Sequence, residues 1–396
     1  MKRRTGTTSR GIRTPIIRSG DRLPEIVVDS VIRAAESEGF ELHDRDVVAV
    51  TESVVARAEN NYATCDDIAH DVRRLFPEGE IGVIFPILSR NRFAINLRGI
   101  ARGADRIVLQ LSYPADEVGN ALMDLAVMDD VDINPLRDCL TEAEYRDHFG
   151  DVHHPYTGVD YVAYYREIIE GEGAEATIIL ANDPLAILDY TPYVLTCDIH
   201  TREHTKRRLE RAGAQRVLGL DDILAAPVNG SGYNERYGLL GSNKASEEKI
   251  KLFPRGGDAF VRQTAERFAE RTGKAIEVMV YGDGAFKDPT AKIWELADPV
   301  VSPASTPGLQ GRPNELKLKY LADNEFADLN GAELEAAVVD AIEHKPSGVM
   351  GDSTEGTTPR HLTDLLGSLA DLTSGSGDKG TPVVLIQGYF DSLADA

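Results

Sequence analysis

The fold class this sequence predicts is a chain of mixed helices and strands in more than one lobe, with a small α/β lobe in its middle. Three observations predict it. At 396 residues the chain exceeds what one ordinary core organises. Across residues 101–226 short apolar runs alternate with helical ones, the pattern of strand–helix–strand units around a partly parallel sheet. On either side, longer helices and buried strands surround three glycine-bearing loops. The boundaries read as 1–100, 101–226 and 227–396.

The elements follow in order. Apolar residues Ile26, Val27, Val31, Ile32 and Ala35 recur at helical spacing, so Leu23 to Glu38 reads as a helix. Asp46 to Val50 reads as a buried strand, and Thr51-Glu-Ser53 opens an element that runs to Glu59. A short helix lies around Ile68 to Leu75, and the polar stretch Ser89 to Arg98 is a basic knot in an acidic chain. In the middle lobe Arg106–Leu111, Ala176–Leu180, Tyr193–Cys197 and Gln215–Leu220 read as strands. Tyr161–Ile169 and the basic Arg202–Ala212 read as helices. The lobe carries no G-x-G-x-x-G, so it is not read as a dinucleotide domain. Beyond Pro227, Glu266–Thr272 and Gly331–Glu343 read as helices, and Glu277–Val280 and Val383–Ile386 as strands.

Composition excludes several function classes. A 42% apolar and 27% charged chain is ordinary globular composition. The net charge of −22 argues against nucleic acid or an anionic membrane as a main partner. Any polyanionic ligand then needs local cations or metal ions. The basic opening Met1 to Arg4 has no apolar stretch behind it, so it is not a secretory signal. No run approaches the roughly 18 apolar residues of a membrane helix. Cys65, Cys139 and Cys197 are isolated and odd in number, which fits a reduced cytoplasmic protein without a zinc site.

The most informative stretch is Leu372 to Pro382, where three glycines, hydroxyls, an Asp and a Lys precede the strand Val383–Ile386. Such a loop lets backbone N–H groups approach phosphate oxygens. Tyr237–Lys244 and Tyr281–Pro289 have similar character, and each of the three carries a Lys. In Tyr281–Pro289 the strand delivers Asp283 to a loop tip with Lys287 and Asp288 behind it, a place suited to Mg2+ or Mn2+ on phosphate oxygens. A plain G-D-G turn uses the same residues. Asn243 and Lys244 suit a ligand hydrogen bond and phosphate neutralisation. Alternatively, Ser242 caps a helix over Ala245–Ile250. Arg90 and Arg92 suit a carboxylate-bearing substrate or, equally, surface salt bridges. His200-Thr-Arg-Glu-His204 lacks the H-E-x-x-H arrangement, so a histidine metal site is a poor match.

Several blocks carry a family resemblance. Thr14-Pro-Ile-Ile-Arg-Ser-Gly-Asp21, Asp46 through Arg57-Ala-Glu59, Val228-Asn-Gly through Gly238-Leu-Leu-Gly-Ser-Asn243, and Ser374 through Gln387-Gly388 occur in this order. Together they resemble the gamma-glutamyl ligases that add glutamate to the deazaflavin coenzyme F-420, over residues 11–100 and 227–390. The resemblance implies an α+β core carrying the α/β lobe as an insertion, and a cytoplasmic homodimer. It implies a GTP-dependent (or ATP-dependent) ligase using Mg2+ or Mn2+, which activates a substrate carboxylate as an acyl phosphate for attack by the amine of L-glutamate. Carried over by position, it places the nucleotide at Arg13, Thr14, Pro15, Glu52, Ser53, Arg57 and Asn243, and along the loop Gly375–Gly380. The chain also departs from the pattern. Leu240 and Tyr281 stand where the family has metal-binding Asp residues, and Arg57 stands where it has a Lys. A leucine cannot bind a hard cation, so the metal must come from Asp283 and Asp288 or be lost.

The expectation is therefore a nucleotide-dependent carboxylate–amine ligase. Asp283 and Lys287 are its catalytic candidates, Lys244, Lys379, Gly375, Gly377 and Gly380 its further phosphate contacts, and Arg90 and Arg92 its substrate contacts. A relative that binds a nucleotide without catalysis is the alternative, and a site in the middle lobe using Asp183, Asp198 and His200 is the third.

Overall fold

The structure, a computed structural model, describes residues 5–154, 157–282, 302–348, 361–374 and 377–395, with the backbone of two short strands at 286–287 and 294–295. Its helices and strands lie in several separate sheets, an α+β arrangement.

The first sheet draws its strands from both ends of the chain. It contains β1 (Thr8–Ile12), β2 (Val47–Thr51), β12 (Glu277–Tyr281), β15 (Ala304–Ser305) and β16 (Val383–Gln387), in the order β1-β16-β2-β12-β15. Only β2 and β12 are parallel, with Val47 opposite Glu277 and Tyr281 opposite Thr51. The sheet is covered on both faces, which is why β2 and β16 read as unbroken apolar runs. Val48, Val50, Val278, Val280, Val383 and Leu385 face helices α1 (Leu23–Glu38) and α8 (Gly257–Thr272), meeting Val27, Val31, Phe260 and Phe268. The alternate residues Val47, Ala49, Met279, Tyr281, Val384 and Ile386 face α11 (Leu362–Thr373) through Leu366 and Ala370. The period of two along each strand sorts the two layers. Helix α2 (Glu52–Ala58) starts directly from the end of β2.

A second sheet occupies the middle of the chain. It contains β4 (Glu80–Ile84), β5 (Arg106–Leu111), β6 (Leu140–Thr141), β7 (Glu175–Leu180), β8 (Tyr193–Thr196) and β9 (Arg216–Gly219), ordered β6-β7-β5-β4-β8-β9. All neighbours are parallel except the β6 edge. The parallel strands thus sit third, second, first, fourth, fifth, a doubly wound order that reverses between β4 and β8. Helices α3 (Cys65–Leu75), α4 (Phe93–Arg102) and α6 (Tyr161–Gly171) share one core with this sheet, while α7 (Arg202–Arg211) packs Leu209 on the other face. Helix α5 (Glu142–Phe149) follows β6.

The lobe boundaries need correction. Strand β4 and helices α3 and α4 belong to the middle sheet, and its core runs from Ala63 to Phe253 rather than from 101 to 226. A buried parallel strand looks the same in sequence whichever sheet accepts it, so β4 carried no marker of its membership. A second correction concerns residues 243–251. No helix follows Ser242: β10 (Asn243–Ser246) and β11 (Lys249–Lys251) form a hairpin that pairs with β3 (Tyr62–Thr64). Ser242 is buried and exchanges hydrogen bonds with Asn96 instead of capping, at 3.0 and 3.2 Å. The remaining elements are the two-stranded β13 (Phe286–Lys287) and β14 (Trp294–Glu295), the short α9 (Leu318–Tyr320) and α10 (Gly331–Glu343).

Candidate functional site

One end of the first sheet gathers segments that are far apart in sequence. Strands β2 and β12 end there, β1 leads out of it into Thr14–Ile17, and β16 begins there after Pro382. The segments are tied by backbone hydrogen bonds, from Thr14 N–H to Gly380 O at 3.3 Å and from Thr51 N–H to Pro382 O at 3.0 Å. The end of α11 is fixed to the same corner. Ser374 donates its hydroxyl to Thr381 O at 2.7 Å, and the Thr373 and Ser9 hydroxyls lie 2.7 Å apart. Gly380 sits at φ +67, the left-handed region, which glycine adopts without penalty.

These segments enclose a cavity of about 400 Å³. Thr14, Pro15, Ile16 and Ile17 line it from the segment after β1, and Ser53, Val54 and Arg57 from α2. Thr51 and Tyr281 contribute from the ends of β2 and β12. Asp371, Ser374, Gly377, Gly380, Thr381 and Pro382 complete the lining from α11 and the loop that follows. The lining is partly apolar, with Pro15, Ile16, Ile17 and Val54, and Ile16 is 82% exposed. It also presents hydroxyls and glycine backbone, and Arg57 is the cation among the lining residues. Apolar residues of that kind suit a flat ring, and a glycine and hydroxyl loop together with a guanidinium suits phosphate oxygens.

Of the residues singled out in the sequence, Thr14, Pro15, Ser53, Arg57, Gly377 and Gly380 meet in this cavity. Arg13, Glu52 and Lys379 are chain neighbours of its lining without belonging to it. Glu52 is 5% exposed, and both its carboxylate oxygens take hydrogen bonds from Lys251 Nζ, at 2.8 and 2.6 Å. That buried pair holds α2 against β11. The expected metal and catalytic residues Asp283 and Asp288 lie outside the described residues, as does Gly375. Lys287 is in β13, whose side chains are likewise outside them.

The remaining predicted contacts collect elsewhere. Arg90 and Arg92 belong to the turn between β4 and α4, and Asn243 and Lys244 to the hairpin that leans on this turn, with Lys244 N–H donating to Asn91 O at 2.8 Å. Lys244 is paired with Glu247. Arg92 lines a crevice of about 30 Å³ with Phe93, Asn96, Cys197, Leu240 and Ser242, none of them shared with the larger cavity. Leu240 is 2% exposed within the middle core, so the position is occupied by packing rather than by a ligand. Lining residues not among the sequence-predicted contacts include Ile16, Val54, Tyr281 and Asp371. Tyr281 stands out in the sequence only as a departure from the family pattern, and Asp371 as nothing more than an acid in the last turn of a helix.

A second cavity, of about 610 Å³, adjoins the first across the end of α2: Arg57 lines one and Glu59 the other. Here Arg255 lies over the Tyr233 ring at 4.6 Å and Arg236 over the Tyr237 ring at 5.1 Å. Glu59 accepts from the N–H groups of Arg255 and Gly256 at 2.8 and 3.0 Å, while burial pushes its carboxyl above the usual range. Among the described residues no group of three or more His, Cys, Asp or Glu is placed to hold a metal ion. Burial raises the Cys65 thiol to about 12, and Cys197 is raised as well, which suits structural thiols rather than ligands. No described helix is long and apolar enough to cross a membrane.

Comparison with known proteins agrees with the blocks that line the first cavity. The sequence model of the family described as F420-0:Gamma-glutamyl ligase matches residues 11–388, nearly the whole chain. No curated protein matches the sequence. The chain belongs to the F420-0:gamma-glutamyl ligase family, and a ligase function follows at that level.

Proposed function

We propose that this member of the gamma-glutamyl ligase family is a nucleotide-dependent carboxylate–amine ligase that binds GTP in the 400 Å³ cavity. The convergence of Thr14, Pro15, Ser53, Arg57, Gly377 and Gly380, from three separated blocks, carries this reading. Backbone N–H groups along Gly377–Gly380 and the Arg57 guanidinium take the phosphate oxygens, and Ile16 and Val54 flank the base. The adjoining 610 Å³ cavity takes the carboxylate substrate, with Arg255 and Arg236 pre-positioned over their tyrosines.

The chemistry has two steps. A substrate carboxylate oxygen attacks the γ-phosphorus, the bond to the β-phosphate oxygen breaks, and the nucleoside diphosphate leaves. The amine of L-glutamate then attacks the acyl carbon, the acyl–oxygen bond breaks, inorganic phosphate leaves and the amine loses a proton. Catalysis of the first step is mainly positioning and charge neutralisation, and a divalent cation on the phosphates would supply part of that charge. Arg57 of the first cavity and Glu59 of the second are two residues apart at the end of α2, which supports a reading in which the two reactants lie side by side.

Incubation with GTP, L-glutamate and a carboxylate acceptor labelled with oxygen-18 tests the proposal, with the coenzyme F-420 precursor and a folate as first acceptors. Transfer of one label into the released phosphate is the expected signature of an acyl phosphate. A different reading, a relative that binds nucleotide without turnover, is favoured by one observation. Leu240 is core and Tyr281 lines the cavity, at positions where acids are expected. Nucleotide binding without amide formation on any acceptor would support it.

A further inference from the structure

An amide cannot form while the incoming nitrogen is an ammonium, because that nitrogen has no free lone pair. The amine of L-glutamate is protonated near neutral pH, so the second step of the proposed reaction needs a group that removes a proton beside the acyl carbon. Among the described residues three carboxylates line the 610 Å³ cavity: Glu59, Glu235 and Asp258. Glu235 and Asp258 are exposed, whereas Glu59 is half-buried and fixed in place. It closes α2, and its N–H bonds Val55 O at 3.1 Å. Its Oε2 accepts from Arg255 N–H at 2.8 Å and its Oε1 from Gly256 N–H at 3.0 Å. A carboxylate oxygen carries two lone pairs, so each of these oxygens keeps an acceptor site. Gly256 permits the close approach, since a Cβ there would lie 2.8 Å from Glu59 Oε1.

Position along the chain favours the same residue. The acyl phosphate has to form where a γ-phosphate in the first cavity meets a carboxylate in the second, and Arg57 and Glu59 bring the two linings within two residues of each other. We propose that Glu59 is the general base that takes a proton from the attacking amine. This rests on the ligase reading of the two cavities. The ammonium passes one proton to a Glu59 oxygen, and the freed lone pair forms the nitrogen–carbon bond. The acyl carbon–oxygen bond breaks with its electron pair on the phosphate, which takes the second nitrogen proton and leaves. Burial raises the Glu59 carboxyl above the usual range against the pull of Arg255, and a more basic carboxylate is a better match for an ammonium proton. Arg236, Glu235 and Asp258 are the other charged groups of that lining, and Arg57 stands on the last turn of α2. A carboxylate that only ties residues 255 and 256 to α2 would serve every nucleophile alike, which separates the two roles.

The test therefore compares two nucleophiles, L-glutamate and hydroxylamine, which is unprotonated at neutral pH and needs no base. Wild type, Glu59→Gln and Glu59→Asp are assayed with GTP, Mg2+ and either the coenzyme F-420 precursor or a folate, following amide and hydroxamate. Glu59→Gln should lose about 100- to 10,000-fold in amide formation, the scale of general acid–base catalysis, and keep hydroxamate formation within a few-fold of wild type. Its residual amide rate should climb about tenfold per pH unit as the free amine increases, whereas the wild-type rate levels off once Glu59 is ionised. Glu59→Asp should restore part of the amide rate. Hydroxamate formation also shows that each variant is folded. Equal losses with the two nucleophiles overturn the inference, and so does an unchanged amide rate in Glu59→Gln. If the wild type forms neither product with either acceptor, the ligase reading falls first and this inference with it.

Discussion

Removing the cation of the Glu52–Lys251 pair is the sharpest test of how α2 is held. Both side chains are 6% exposed, and the ammonium contacts both carboxylate oxygens. Lys251→Met keeps the length of the stem and removes the charge, leaving a buried carboxylate with its main counter-ion gone. Breaking a buried pair from one side costs about 3–5 kcal/mol, whereas an exposed pair costs roughly 0–1 kcal/mol. For 396 residues unfolding as one unit, at about 2.1 cal/mol/K per residue, that corresponds to a Tm lower by about 4–6 °C. Glu52→Gln combined with Lys251→Met removes both charges and should recover more than half of the loss. Differential scanning calorimetry of the wild type, both single variants and the double variant gives the cycle. A Lys251→Met Tm within 1 °C of wild type, or a double variant no better than the single, would refute the claim that a desolvated pair clamps α2 to β11.

Three further outcomes follow from the geometry. Arg57→Ala should weaken GTP binding by about 10- to 100-fold, the worth of charge-assisted hydrogen bonds, with Tm almost unchanged because the residue is exposed; calorimetric titration decides. Gly241→Ala should destabilise by about 3 kcal/mol or more, since its backbone is at φ +71 and a Cβ would lie 2.2 Å from Phe253; chemical denaturation measures it. Glu59 has a carboxyl pKa raised by burial, so the folded state holds that proton to higher pH than the unfolded chain does. Its contribution to stability is therefore greatest below the ordinary glutamate range and falls as pH rises through the interval up to the folded value. Glu59→Gln should flatten that part of the Tm–pH curve relative to wild type, and a parallel curve would contradict the assignment.

Three strands of the first sheet, β2, β12 and β16, were legible as short apolar runs, as in Val47–Val50 and Val383–Ile386, whereas the edge strands β1 and β15 carried no such run. Their glycine and hydroxyl neighbours were legible too, because few residue types suit a close backbone approach. What stayed hidden depended on pairing. The alternative of a helix over Ala245–Ile250 failed because a serine before such a stretch resembles an N-cap, whereas the hairpin is stabilised by β3 from a distant part of the chain. Glu52 looked like a ligand contact, and only the fold brings Lys251 to it across 199 residues. Lys244 was expected with the nucleotide and Arg90 with the carboxylate substrate, because their charges fit. They sit at the β4–α4 turn of the other sheet, since charge type says nothing about which end of which sheet a turn occupies. Asp371 went unnoticed because one acid in a helix ordinarily faces water.

The proposed seat of the nucleotide is a single cavity, and a crystal structure with a non-hydrolysable GTP analogue and Mg2+ examines that directly. The phosphates should lie between Arg57 and the Gly377–Gly380 backbone, with the base against Ile16 and Val54. An analogue seated in the 610 Å³ cavity, or at the β4–β8 crevice of the second sheet, would contradict it.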